Sequence, residues 1–253
     1  MARTDTLTNY LTDVATAIKT KKGDNTPIKA SEFDTEIANL PSGGGAVIEI
    51  TDASYLFYEG ARTEYLNEIL SLCKNVTSAK YMFYMCKLSE LDLSNFDTSE
   101  IEDASYMFSN NMTVQKYDLT GWDTSKVKKM TRMFYSNTNI TDLVMLDASS
   151  VQNISGVCDS CIDLTNFGGF MNLGKGFATT AGENSSSLKL NLSSSNQLTE
   201  QSLINVLNGL YDIASIGVKT QTCQLGSTNL AKLTSEAGQQ ALANATAKGW
   251  SVS

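Results

Sequence analysis

Tyr55-Leu56-Phe57, Tyr81-Met82-Phe83, Tyr106-Met107-Phe108 and Arg132-Met133-Phe134 are one phrase written four times, at a spacing of about 25 residues. Aligned on the phenylalanine, the slot three residues later holds Cys86, Asn111 and Asn137, and a degenerate fifth copy, Val157-Cys158, has Cys161 there. A self-similar period of this length means stacked units, each too small to bury its own apolar face. The other half of each unit is clearest in Leu91-Asp92-Leu93-Ser94-Asn95-Phe96-Asp97-Thr98-Ser99 and Tyr117-Asp118-Leu119-Thr120-Gly121-Trp122-Asp123-Thr124-Ser125. Leu91 and Leu93, or Tyr117 and Leu119, alternate with Asp92 and Asp118 as in a short strand. Ala104, Met107 and Phe108, then Met130, Met133 and Phe134, fall at i, i+3, i+4, the spacing of a helical turn.

This pattern predicts an α/β repeat fold: a leucine-rich-repeat solenoid of short strands and short helical turns, preceded by a small N-terminal helical module. The module occupies residues 1–40. Leu7, Leu11, Val14 and Ile18 lie on the stripe of an amphipathic helix, and a shorter stripe runs through Phe33, Ile37 and Leu40 behind Ser31 as N-cap. So small a hairpin holds little core, and its stripes are expected either to dock on a partner or oligomerise, or to cover the first repeat. Residues 41–47, with Pro41-Ser42-Gly43-Gly44-Gly45, break both periodicities and read as a Gly-rich linker. Repeats are expected over residues 48–170, and larger units forming a cap over 171–253. In the cap, Leu188, Leu190 and Leu192 predict a strand, and Leu203, Val206, Leu207, Leu210 and Tyr211 a helix. A second strand is expected from Thr222 to Leu225, and a last helix from Ser235 to Ala247 before Trp250-Ser251-Val252.

The 253-residue chain has no histidine and a formal net charge of -8. Without imidazole there is no His-based triad, no common zinc site and no usual base near neutral pH. The acidic balance disfavours nucleic acid, whose binding draws on clustered Lys and Arg. Two spaced carboxylates would suffice for a glycosidase, and 27 Asp and Glu residues do not exclude one by number. Solenoid scaffolds mostly bind, however, so a non-enzymatic protein with no cofactor is expected. No uninterrupted apolar run follows the first residues, and no stretch approaches the roughly 18 apolar residues of a membrane span, so synthesis in a cytoplasm without membrane insertion is expected. Five cysteines, an odd number, suit a reducing compartment.

The residues opposite the core leucines are predicted to line an exposed strand face: Glu90, Asp92, Lys116, Asp118, Asp142 and Val144, with Lys189 and Asn191 on a later strand. Such a mixed-charge face is either where a glycan or protein docks or simply a solvated side. Tyr55, Tyr81 and Tyr106, continued by Arg132, form a second candidate surface, either an aromatic platform or a packing ladder. Cys158-Asp159-Ser160-Cys161 has zinc or redox spacing, but Cys158 stands in the phenylalanine slot and Cys161 in the Cys86 slot. Both are therefore expected in the core, and no metal site is expected. Asp97, Asp123 and Asp147 recur before Thr or a small residue; turn capping suits them better than a calcium ladder, because no glycine-rich calcium spacing accompanies them.

Leu91 to Ser99 with Tyr106-Met107-Phe108, and Tyr117 to Ser125 with Met130 to Phe134, resemble the BspA-like leucine-rich repeats of bacterial surface proteins over about residues 48–165. The eroded copy at Gly156-Val157-Cys158 departs from that pattern. The tail, with Gly169-Phe170, Leu198 to Leu203, Leu225 to Asn229 and Lys248-Gly249-Trp250, resembles the segment that closes such repeats in phage-encoded proteins. Leu11 to Ile18 and Pro27 to Phe33 are similar to the N-terminal module of many tailed-phage structural proteins. The resemblance implies a virion protein, attached to other virion proteins through residues 1–40 and homo-oligomeric on the particle. Its repeats would then face a host surface protein or glycan, or a neighbouring virion protein. A purely structural decoration protein, a secreted bacterial adhesin and a carboxylate-based carbohydrate-active enzyme are the alternatives.

Overall fold

The structure, a computed structural model, describes residues 50–60, 66, 69–70, 73–86, 93, 96–119, 121–179 and 188–253. These fall almost wholly in one compact unit, Thr51–Ser253. The expected helices of residues 1–40, with Leu7, Leu11, Val14, Ile18, Phe33 and Ile37, and the linker 41–47 lie outside the described residues.

Around the Tyr-Met-Phe phrase the backbone divides its hydrogen bonds by parity. Ala53, Tyr55, Phe57 and Glu59 donate their N–H groups to the carbonyls of Ser78, Lys80, Met82 and Tyr84 in the next repeat, at 2.7–3.0 Å. The residues between them bond within their own repeat: Leu56 to Ala53, Tyr58 to Tyr55 and Gly60 to Phe57. The same exchange recurs from Ala79, Tyr81, Phe83 and Met85 to the following repeat, and again from Ala104 through Asn110 and from Met130 through Ser136. The amides of the segment thus find partners both within and between repeats, which a buried stack requires.

This segment is therefore a run of consecutive β-turns and not the helical turn that the i, i+3, i+4 spacing predicts. A helix directs its N–H groups along its own axis and leaves none for a neighbour. Linked β-turns turn every second one sideways, at the cost of two left-handed residues per repeat. Those residues are Tyr55 and Glu59, Tyr81 and Met85, Tyr106 and Asn110, Arg132 and Ser136, and Gly156 and Ser160, all at φ of 52–65°. Left-handed backbone costs about 1–2 kcal/mol at a residue with a Cβ, and only the fifth repeat relieves it with glycine. A Cβ on Gly156 would meet Arg132 Cγ at 3.0 Å, so the missing side chain also makes room for the arginine.

The ladder brings identical side chains into columns. Phe57, Phe83, Phe108 and Phe134 are fully buried and stack with centroid separations of 5.2, 5.6 and 5.6 Å and planes within 8° of parallel. Beside them Leu56, Met82, Met107, Met133 and Val157 are also buried. In the slot after the turns, the Asn111 amide nitrogen donates to the carbonyls of Phe83 and Phe108, and Cys161 Sγ donates to that of Phe134 at 3.0 Å. In the next repeat the same slot works the other way, Asn137 Oδ1 accepting the Asn111 N–H at 2.7 Å, so what recurs is a small buried polar side chain bonded to backbone.

Strand β1 (Ile50–Asp52) pairs with β2 (Cys73–Ser78), and both run directly into the turn segments that begin at Ala53 and Ala79. On another side of the stack the strands are two residues long. Strands β3 (Asp142–Leu143) and β4 (Leu146–Asp147) pair in parallel with β5 (Asn166–Phe167) and β6 (Phe170–Met171), and Lys116 bridges to Asp142 one repeat earlier. The cap alternates strand and helix as its periodicity predicts: β7 (Lys189–Asn191), α1 (Glu200–Gly209), β8 (Gln221–Gln224), α2 (Ser227–Leu230), α3 (Glu236–Ala247) and β9 (Trp250–Val252). Strands β7, β8 and β9 form one parallel sheet in that order. Thr199 and Ser235 cap α1 and α3, and Lys248 Nζ donates to the Leu210 carbonyl at 2.7 Å, placing a cation at the negative end of α1.

All five cysteines are reduced and buried. Burial pushes the Cys73, Cys86 and Cys223 thiols up to about 12. Since the thiolate is the reactive form, the native chain is expected to show no labelling by a thiol reagent at pH 8 on the minute scale, and full labelling of five groups in denaturant. Rapid native labelling would mean that the repeats open.

Candidate functional site

The parallel bridges place Lys116, Asp142 and Asn166 in one column across three repeats. A fourth strand does not follow. Helix α1 lies there instead, and its side chains take the hydrogen bonds that a strand would make. Ser202 Oγ accepts from Phe167 N–H at 2.9 Å and donates to the Thr165 carbonyl at 3.0 Å, while Asn205 Nδ2 donates to the Phe167 carbonyl at 3.4 Å. The sheet edge is thereby closed by side chains.

Between the column and the helix a cleft of about 290 Å³ remains. Leu143, Val144, Phe167 and Gly168 contribute to its floor, and Lys116, Asp142, Asn166, Gln201 and Asn205 to its polar rim. Gly168 is required by close approach: a Cβ there would sit 2.8 Å from Met145 Cα and closer still to Met145 N. Asp142 Oδ2 accepts from Thr141 Oγ1 at 2.6 Å and Oδ1 from Asn166 Nδ2 at 2.9 Å. These two bonds, the threonine's first, hold its carboxyl below the usual carboxylate range, with the Lys116 ammonium adding to the effect. On the helix, Gln201 Nε2 donates to Asn205 Oδ1 at 2.9 Å. Asp142 is the one carboxylate among the described lining residues, so the paired acids of glycoside hydrolysis are not assembled in this cleft.

Of the residues that the sequence placed on the strand face, the cleft unites Lys116, Asp142 and Val144. Asp118 is exposed and outside the lining, and Glu90 and Asp92 lie outside the described residues. Lys189 and Asn191 belong elsewhere. Their strand β7 follows the turn segments, where Asn191 Nδ2 donates to Asp159 Oδ1 at 3.0 Å, so alternation along β7 does not extend the face of β3. Asn166, Gln201 and Asn205 escaped the sequence reading. Asn166 was accessible by extending the register of Asp142 by 24 residues, and Gln201 and Asn205 by the i, i+4 spacing on one side of α1.

The tyrosine column exists, but in a form that changes its use. Tyr55 stacks on Tyr81 at 4.9 Å and Tyr81 on Tyr106 at 4.5 Å, with planes within 15° of parallel. Arg132 closes the column, 5.8 Å above the Tyr106 ring, and its Nη1 donates to Tyr106 Oη at 3.2 Å. The ring faces are consumed by each other and by the guanidinium, so what the column offers outward is ring edges and hydroxyls. Burial, followed by its neighbours Tyr106 and Tyr55, pushes the Tyr81 phenol up to about 12.

The recurring aspartates cap turns. Asp97, Asp123 and Asp147 accept the N–H of Ser99, Ser125 and Ser149 at 3.0, 2.9 and 2.8 Å. The serine hydroxyl first and then its N–H hold the Asp97 and Asp123 carboxyls below their ordinary value. A depressed folded pKa contributes stability that is complete above the unfolded pKa and lost as pH falls through the folded one. Unfolding midpoints are therefore expected to fall below about pH 4, and the double substitution Asp97→Asn with Asp123→Asn to flatten that acid limb. Cys158 and Cys161 are fully buried, and no group of three or more His, Cys, Asp or Glu among the described residues could hold a metal ion.

Residues 51–167 match the model of a family described as Mycoplasma protein of unknown function, DUF285. That domain is related to BspA-like repeat proteins, which agrees with the resemblance carried by the repeat phrases. No curated protein and no solved structure matches the chain. No helix among the described residues is long and apolar enough to cross a membrane.

Proposed function

We propose that this chain is a non-enzymatic binding protein in which a leucine-rich-repeat solenoid presents its strand side to a partner. The observation that carries the reading is the cleft at Lys116, Asp142 and Asn166. It is assembled from three successive repeats and the first cap helix, and lies where a stacked-repeat scaffold displays lateral surface. The partner is a host surface component or a neighbouring protein on a tailed-phage virion. Residues 1–40 attach the chain to the particle, and the protein is homo-oligomeric there. Support for the virion setting comes from the likeness of residues 11–18 and 27–33 to tailed-phage modules.

Mass spectrometry of purified phage particles tests the setting. The chain is expected at a fixed copy number per particle that survives density-gradient purification, and its absence from particles would contradict the assignment.

A further inference from the structure

We infer that the cleft between the Lys116–Asp142–Asn166 column and helix α1 binds a single neutral pyranose ring of a glycan. The inference rests on the reading of this chain as a surface-binding protein and names the chemistry of what it binds.

Size sets the first limit. A space of about 290 Å³ lies at the small end of ligand sites, enough for one ring with its substituents and too little for a helix or a long peptide. The backbone sets the second. An extended peptide binds a sheet by adding a strand to a free edge, and here the N–H and carbonyl of Phe167 are already taken by Ser202 and Asn205. A peptide has no ladder to join at that edge.

Charge decides between an ionic and a neutral ligand. Lys116 and Asp142 occupy adjacent positions of one column, and the carboxyl is held in its charged form. One cation beside one anion favours neither an acidic nor a basic guest. It suits a group whose every substituent both donates and accepts, which is the property of a hydroxyl. Each Asp142 oxygen accepts one internal bond and retains a lone pair for a second. Gln201 donates through Nε2 to Asn205, which leaves its Oε1 as a further acceptor on the opposite wall. Val144 and Gly168 supply the apolar surface on which the C–H face of a pyranose rests, the side chains of Leu143 and Phe167 beneath them being buried in the core. Hydroxyls would meet the rim and C–H groups the floor.

The test is saturation-transfer NMR on the full chain with the methyl pyranosides of glucose, galactose, mannose, rhamnose and N-acetylglucosamine. At least one is expected to bind with a dissociation constant on the order of 1 mM, as suits so few ligand atoms. Asp142→Asn, which keeps the shape of the site, is expected to weaken that binding at least tenfold. Val144→Phe, which fills the floor, should abolish it, and Asp123→Asn, at a turn outside the cleft, should leave it unchanged. Absence of transfer to all five glycosides, or equal binding by Asp142→Asn and Val144→Phe, would overturn the inference. Cell binding separates this outcome from failure of the wider reading. Saturable attachment that survives periodate oxidation of surface glycans but not protease would sink the pyranose and leave a protein-binding chain standing. Binding to a glycoside without attachment to any cell surface would do the reverse.

Discussion

Phe108→Ala is expected to destabilise the protein by about 3–5 kcal/mol, the range for removing a fully buried aromatic side chain. The position is chosen by its neighbours. Phe83 and Phe134 stack above and below at 5.6 Å, and Tyr117 and Trp122 close the sides at 4.6 and 5.6 Å. Four rings surround the cavity that alanine would leave, and none can collapse into it without giving up its own stacking or the ladder beneath it. In a stack each unit contacts only its neighbours, so the loss falls on two interfaces at once. Urea unfolding followed by tyrosine and tryptophan fluorescence reads the effect. A change below about 1 kcal/mol would mean that the phenylalanine column is not part of the cooperative core.

Gly168→Ala tests the strand side in the same way, and its sign is diagnostic. At an unstrained position, replacing glycine by alanine usually stabilises by about 0.4–1 kcal/mol, because the unfolded chain loses freedom. Here the added Cβ would lie 2.8 Å from Met145 Cα and nearer to Met145 N, and backbone cannot swing aside as a flexible side chain can. Overpacking against a rigid neighbour costs about 1–3 kcal/mol or more. The clash outweighs the entropy, so destabilisation of about 3 kcal/mol is expected, with the Leu143–Phe167 pairing loosened and the cleft floor displaced. A stabilised variant would show that the two strands do not approach as closely as the structure places them.

Much of this architecture is legible in the sequence, and the part that is not has a physical reason. The cap elements follow from apolar spacing and capping residues: Ser235 begins α3, Leu203, Val206 and Leu207 face inward from α1, and alternate leucines mark β7. The register of the phrase assigns Cys158 and Cys161 to the core and the aspartates to turns. The turn geometry escapes, because left-handed residues are usually announced by glycine, whereas this ladder imposes them on Tyr55, Met85 and Arg132 through bonds to the next repeat. Tertiary pairing overrides the helical spacing of the same residues. The cleft is half legible. Its repeat wall follows from strand alternation at Lys116 and Asp142; the helix of its other wall and the shared side of Gln201 and Asn205 follow from helical spacing, but that this helix takes the place of a strand beside Phe167 is a tertiary fact that local spacing does not carry.

Lys126 pairs with Glu100 at 2.5 Å and Lys128 with Glu102 at 2.7 Å, each across one repeat and each exposed. Exposed pairs contribute little to stability. The acids all lie on one repeat and the lysines on the next, so the pairs hold neighbouring repeats together across their exposed edge without singling out one register.

The proposed binding through the strand side stands or falls on saturable attachment to the host cell surface. Labelled full chain is expected to bind host cells, to be displaced by excess unlabelled chain, and to lose at least tenfold in affinity when Asp142→Asn is combined with Gln201→Ala. Attachment that does not saturate, or that the double substitution leaves unchanged, would contradict the claim.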